Sequence, residues 1–258
     1  MRDVIVHYHI FKNAGTSIDA SLSASFGSGW LSYDPDPVWT NVLPQEILGV
    51  FESRPDLRAI SSHQLRWPEP AAEGLRVFPL VLLRHPIDRI RSIYEYGKRV
   101  GYTDIIGRTF PEYVDWLLRP EGSIVARSFQ TLFMSDDDAL RETPEVPSVV
   151  TPAHFESARR RIDGLEMFGL VERFEESVAI FDRVLRSKFP DLDLLPHVEN
   201  ASPGKAELLE TRLTHIADAL GERRYQRVIR TNEADLELWH HAMAQFEARF
   251  VPANSNSA

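Results

Sequence analysis

An α/β fold, with a central mostly parallel sheet covered by helices, is predicted by three features of the sequence. Residues 4–10 and 78–83 form continuous apolar runs without strict alternation, as expected of strands buried on both faces. Each run ends in a turn and leads into a helical pattern, so one strand, turn and helix unit occurs twice. The second half of the chain is dominated by helical periodicities, which predicts a helical C-terminal part that packs on the sheet and walls its carboxyl edge.

The elements follow in order. Val4, Ile5, Val6 and Ile10 surround His7, Tyr8 and His9 in a β-branched and aromatic run; Asn13, Ala14 and Gly15 end it, and residues 17–25 continue as a helix. Asp34, Pro35, Asp36 and Pro37 break the chain, and Trp30, Tyr33 and Trp39 around them predict either a loop packed on itself or a lid over a substrate. Residues 59–62 are a weaker strand. After the second buried run, Pro86 suits the first turn of a helix that carries Ile90, Ile93 and Tyr94 on one face. Helical patterns cover 110–118, 123–133 and 152–162. Residues 167–171 predict a short strand leading into a helix over 175–185, with Val178, Phe181, Val184 and Leu185 at helical spacing. Helices over 206–220 and 232–250 close the series. With no internal repeat, residues 1–251 read as a single domain, and the small polar residues of 252–258 as a frayed tail.

Composition narrows the function. A chain of 258 residues, 43% apolar, can bury a core without staples. Its 29 Lys and Arg against 38 Asp and Glu leave a net charge of −9, so the surface as a whole repels nucleic acid and anionic membranes, and any anion site must be local. The absence of cysteine excludes a disulfide framework, thiolate metal sites and a cysteine nucleophile, and it fits a cytoplasmic location. No stretch approaches the roughly 20 apolar residues that span a bilayer.

The first turn, Phe11 to Ser17, has the makings of an oxyanion cradle. A glycine allows close backbone approach, and the amides of Gly15, Thr16 and Ser17 would point outward at a helix N-terminus. Lys12 can add a full charge, and the Thr16 and Ser17 hydroxyls further hydrogen bonds. The structural alternative makes Ser17 an ordinary N-cap and Lys12 a solvated loop residue. The segment is not the nucleoside triphosphatase loop, because Lys12 stands three residues before Gly15 rather than after the last glycine.

The second unit places Arg84 where its strand ends. Ser92 lies roughly 12 Å further along by helix rise, so both reach one phosphate only if the connecting loop folds back. From Arg84 to Arg99 the charges are five positive against two negative. For Arg89, Arg91, Lys98 and Arg99 the alternative is a solvated helix face with salt bridges such as Asp88 to Arg91. His7 and His9 share one face of a strand, but a metal would need a third ligand, and none has a defined spacing. His240 and His241 fit surface or packing positions.

Taken together, these segments resemble the nucleotide-binding motifs of the sulfotransferases that use 3′-phosphoadenosine 5′-phosphosulfate (PAPS), in the branch of carbohydrate and heparan 2-O-sulfotransferases and bacterial relatives. His9 to Ser17 is similar to H-I-P-K-x-G-G-T-S, with Phe11 replacing the proline and Ala14 the first glycine. Arg84, Pro86, Arg89 and Ser92 match R-x-P-x-x-R-x-x-S. Gly169 to Ser177 resembles G-x-T-E-R-F-x-E-S with Val171 in place of threonine, and His197 to Ser202 resembles H-x-N-x-S with one residue inserted. The likeness implies a three-layer, P-loop-like sulfotransferase fold. It further implies that Lys12, Asn13, Ala14, Gly15, Thr16 and Ser17 hold the 5′-phosphosulfate and that Arg84 and Ser92 hold the 3′-phosphate. His63 stands where this branch places its catalytic histidine. An imidazole, with an unperturbed pKa near 6.5, can take a proton from an acceptor hydroxyl at neutral pH; without the family, a lone histidine after a short strand reads as structural.

The implied reaction is in-line sulfuryl transfer to a carbohydrate or other small-molecule hydroxyl, with 3′-phosphoadenosine 5′-phosphate (PAP) as product. Lys12 would stabilise the leaving phosphate oxygen, and no metal is implied. Trp30, Tyr33, Trp39, Arg66 and Trp67 are candidates for an acceptor cleft, and His197, Asn200 and Lys205 for contacts to donor or acceptor. Two rivals share the motifs: a nucleotide-dependent phosphotransferase and a catalytically silent nucleotide-binding protein.

Overall fold

The computed structural model describes residues 1–37, 40–119, 126–136, 149–194 and 207–251. Five parallel strands form one sheet in the order β2-β3-β1-β4-β5: β1 (Arg2–Tyr8), β2 (Trp30–Ser32), β3 (Ala59–Ser62), β4 (Leu75–Leu83) and β5 (Gly169–Leu170). Val4, Ile5, Val6 and Tyr8 of β1 and Leu80 to Leu83 of β4 are buried, which is why these segments lack alternation.

Helices flank the sheet in a three-layer α/β arrangement. In chain order they are α1 (Gly15–Phe26), α2 (Pro44–Ser53), α3 (Pro86–Val100), α4 (Phe110–Leu117), α5 (Phe129–Met134), α6 (Pro152–Gly164), α7 (Phe174–Leu185), α8 (Leu209–Leu220), α9 (Glu222–Thr231) and α10 (Glu233–Phe250). Ile18 and Leu22 of α1, Ile47 and Phe51 of α2, Phe181 of α7 and Phe246 of α10 join the strands in the main core. A second cluster unites α3, α4, α8 and α9 through Ile90, Ile93, Tyr113, Ile216 and Val228. Pro86 opens α3, Asp88 lies in its first turn, Lys98 and Arg99 in its last, and Gly101 closes it at φ 85°, so charge and turn chemistry both favour this helix.

Three elements differ from the expectation. The predicted loop or lid around Trp30 is partly an edge strand: β2 pairs with β3, and Trp30 lies opposite Ala59. Both α2 and α9 fall in stretches without a predicted element. α9 carries Tyr225, Val228 and Ile229 at helical spacing and buries only Val228, a weak signal in an otherwise charged segment. Of the helix predicted over 123–133, the described part is α5; Trp39, His197, Asn200, Lys205 and the tail lie outside the described residues. No helix among the described residues is long and apolar enough to cross a membrane.

The topology selects the place for a ligand. After β1 the chain moves by way of α1 to β2, whereas after β4 it leaves for β5 on the other side, so the connections diverge between the adjacent strands β1 and β4. Open parallel sheets bind ligands at the carboxyl edge beside such a divergence. The Lys12 turn and Arg84 both lie there.

Candidate functional site

The turn after β1 has an unusual backbone. Lys12 and Ala14 adopt φ of 66° and 61°, the left-handed region, where a residue with a Cβ is disfavoured by roughly 1–2 kcal/mol. Ala14 is the N-cap of α1 and supplies no side-chain cap. The Ser17 N–H donates to the Ala14 carbonyl at 3.1 Å, so of the three amides expected to face an anion, those of Gly15 and Thr16 are left for it. Ser17 is buried within α1 rather than capping it.

Buried partners hold this turn against β4. The Asn13 side-chain amide donates to the Leu82 carbonyl and to Gln130 Oε1, each at 2.7 Å, so Asn13 pins the fold. Gln130 also accepts from the Arg84 amide at 2.9 Å and donates to the Arg84 carbonyl at 2.8 Å. Arg84 Nη1 donates to the Lys12 carbonyl at 2.9 Å, and buried Arg89 donates through Nε to the Phe11 carbonyl, also at 2.9 Å. The two predicted units therefore form one edge.

The charges around Arg84 differ from the sequence reading. Asp88 pairs with Arg84, at 2.8 Å, and with Arg212, at 2.9 Å, whereas Arg91 pairs with Glu95. Arg84 is thus a partly neutralised clamp. Arg89 is buried rather than part of a solvated face. Ser92 is buried on α3, one turn beyond Asp88.

Lys12 is the opposite case. Its ammonium lies 4.1 Å from the centroid of the Tyr96 ring, with no carboxylate partner among the described residues. Burial, reinforced by the positive charges of Arg84 and Arg99, lowers its pKa to about 8. An anion entering here would find a cation with no competing internal partner.

His63 is fixed on its edge and on its face. Its Nδ1 is 2.8 Å from Asp34 Oδ2, while Asp34 Oδ1 accepts the His63 backbone N–H and the Ser62 hydroxyl, each at 2.8 Å. Burial opposes the charge on Asp34, but the His63 and Ser62 hydrogen bonds prevail and hold its carboxyl below the usual range. Because that carboxylate can only accept, Nδ1 carries a proton toward it, and Nε2 is the nitrogen turned away from Asp34. The His9 ring stacks on the other side at 3.9 Å between centroids. Burial pushes the His9 pKa down to about 4, so a neutral ring faces His63.

His9 also connects His63 to the turn. A Cβ at Gly15 would fall 2.2 Å from its Cδ2, so the imidazole lies directly on the start of α1. His7 and His9 share the carboxylate of Asp19, Nδ1 to oxygen at 2.7 and 2.8 Å. Asp19 is the third group that sequence spacing did not reveal, and with the two histidines it could hold a metal. Yet each Nδ1 already meets its own Asp19 oxygen at hydrogen-bond length, and burial of Asp19 is outweighed by the two imidazoles, which keep it ionised. The three side chains therefore satisfy one another as a brace.

The acceptor candidates separate. Trp67 is buried and stacked on Tyr8 at 3.7 Å, so it belongs to the core rather than a cleft. The Trp30 indole donates to Ser61 Oγ, and the Tyr33 hydroxyl donates to Glu46. Arg66 is buried without a carboxylate partner among the described residues.

Comparison with known proteins carries no activity. No protein-family model matches the chain. It is 27% identical over 260 residues to an uncharacterized protein of Archaeoglobus fulgidus, covering 96% of this chain and 99% of that one. The similarity thus runs along the whole length of both proteins rather than through a single motif.

Sequence reasoning missed Asp19, Asp34 and Gln130. Asp34 and His63 were both noticed, one as a chain breaker and the other as a base, but they are 29 residues apart in sequence. Gln130 had no signal, because its role exists only where α5 meets the ends of β1 and β4.

Proposed function

We propose that this protein is a sulfotransferase that moves the sulfuryl group of PAPS to the hydroxyl of a carbohydrate or other small molecule. The observation that carries this reading is the meeting, at one sheet edge, of a turn whose lysine has no carboxylate partner among the described residues and an imidazole oriented by a carboxylate. The imidazole and the turn are bridged by His9. In the step, the acceptor oxygen forms a bond to sulfur, the sulfur to phosphate-oxygen bond breaks, and the acceptor proton passes to His63 Nε2. Lys12 and the amides of Gly15 and Thr16 receive the charge that develops on the leaving phosphate. Arg84 and Ser92 take the 3′-phosphate, Arg84 through the N–H groups left by Asp88 and Lys12. A cytoplasmic location belongs to the same reading and rests on the cysteine-free sequence.

Ligand-dependent unfolding tests the donor. PAP at 100 times its dissociation constant is expected to stabilise the fold by roughly 2.7 kcal/mol, while ATP with magnesium at the same concentration stabilises it much less. Stabilisation by ATP with magnesium and none by PAP would replace this reading with a phosphotransferase; binding of PAP without transfer to any acceptor would leave a silent nucleotide-binding protein.

Asp34→Asn tests how the base is oriented. Asparagine can retain an oxygen toward Ser62 and the His63 N–H while placing an NH2 against Nδ1, which drives the proton to Nε2. Turnover is expected to fall by roughly 10²–10⁴-fold, as in other histidine and carboxylate pairs, with PAP affinity little changed. The nitrogen chemical shifts of His63 should report the altered tautomer. An unchanged tautomer and rate would remove Asp34 from this role.

A further inference from the structure

We propose that Arg66 anchors a second oxyanion subsite at the same sheet edge, separate from the Lys12 turn, and that its occupant is a carboxylate or phosphate group carried by the acceptor. The link to the acceptor rests on His63 being the base that receives the acceptor proton; the subsite itself rests on Arg66.

The side chain of Arg66 is nearly enclosed, with 8% of the residue exposed. Its Nη1 donates to the Leu65 carbonyl at 2.9 Å, and the guanidinium lies 5.4 Å from the centroid of the Phe133 ring. The Nε and Nη2 edge, the fork that matches a carboxylate or phosphate, has no partner among the described residues. Burial lowers its pKa to about 10.

Three other enclosed arginines are paired with carboxylates. Arg161 reaches Glu69 and Asp136, and Arg84 and Arg212 share Asp88. A chain with 38 acidic residues against 29 basic ones has no shortage of carboxylates, so a buried arginine with none among the described residues marks a place that an external anion can fill.

Position connects this place to the reaction. The Arg66 amide donates to the Val42 carbonyl at 3.0 Å, and Val42 bridges Leu65, so the backbone under the side chain is fixed. Arg66 follows His63 by three residues in the segment that leaves β3. On α5, Gln130 clamps Asn13 and Arg84, while Phe133, one turn further on the same helix face, lies against Arg66. An acceptor that presents its hydroxyl to His63 can therefore place an acidic group toward Arg66.

The test is a thermal titration of the full chain with inorganic phosphate at constant ionic strength, in the presence of saturating PAP, with Arg66→Met and Arg66→Lys variants beside the parent. Acetate in a parallel series separates carboxylate from phosphate preference. The parent is expected to gain stability with added anion, Arg66→Met to bind at least 10-fold more weakly, and Arg66→Lys to retain part of the response. Arg66→Met without ligand should melt no lower than the parent, since an apolar side chain of similar length replaces a buried charge with no carboxylate among the described residues. An undiminished phosphate response in Arg66→Met, or none in the parent to either anion, would overturn the proposal; if Arg66→Met does not fold, Arg66→Lys decides by the same comparison. A response to phosphate that depends on Arg66, in a protein that PAP fails to stabilise, would keep the subsite and sink the sulfotransferase reading instead.

Discussion

His63→Ala is expected to lower turnover, measured as PAP formation with an active acceptor, by roughly 10²–10⁴-fold. Nε2 is the only nitrogen of that ring left to receive a proton, because Nδ1 is held by Asp34 at 2.8 Å. The variant should fold. Asp34 keeps the Ser62 hydroxyl and the backbone N–H at position 63 as donors, and the half-exposed imidazole leaves no closed cavity behind. Affinity for PAP should change by less than about two-fold, since no step in nucleotide binding uses the ring. A variant that turns over at the parental rate would remove His63 from the chemistry, whereas loss of PAP binding along with turnover would mean that the ring shapes the turn instead.

Gly15→Ala is expected to have the largest effect on stability at the site. The added Cβ would meet three atoms of the His9 ring at 2.2, 2.4 and 2.7 Å, inside any tolerable contact. The ring has little room to yield, being tied to Asp19 through Nδ1 and stacked with both His63 and His7. Overpacking of this kind costs typically 1–3 kcal/mol, and a chain of this size loses roughly 2–4 °C of melting temperature per kcal/mol. Turnover should fall with it, because moving His9 displaces both the face that supports His63 and the amides of the turn. An unchanged melting temperature would show that His9 does not lie on the start of α1.

The contact at Gly15 also gives a physical meaning to two features of the motif. Glycine is required at this position by the imidazole above it, whereas Ala14 stands at a positive φ that glycine would adopt more readily. The departure from the motif at Ala14 therefore strains the turn without closing it, and the departure at Gly15 would close it.

Much of the sheet was legible because burial on both faces writes itself as an unbroken apolar run. That rule found β1 and β4, and Pro86 marked the start of α3. It failed for β2, three residues at a sheet edge and only partly buried, and for the charged helix α9. At the site, Lys12 and Gly15 were legible through local turn chemistry. The roles of Arg84 and Asn13 were not, since each depends on a partner supplied by another element: Asp88 and the Lys12 carbonyl for the first, Leu82 and Gln130 for the second.

The amino-acid sequence alone determines the parallel α/β class, the two strand, turn and helix units, and the chemistry available at the ends of β1 and β4, because periodicity, proline and glycine act over a few neighbouring residues. Only the tertiary structure decides which of those groups are compensated. Asp34 reaches His63 and Asp19 joins His7 to His9, while Lys12 and Arg66 are left without a carboxylate among the described residues. Charge pairing is set by distance in space, and distances across 10 to 30 residues of chain exist only once the sheet has assembled.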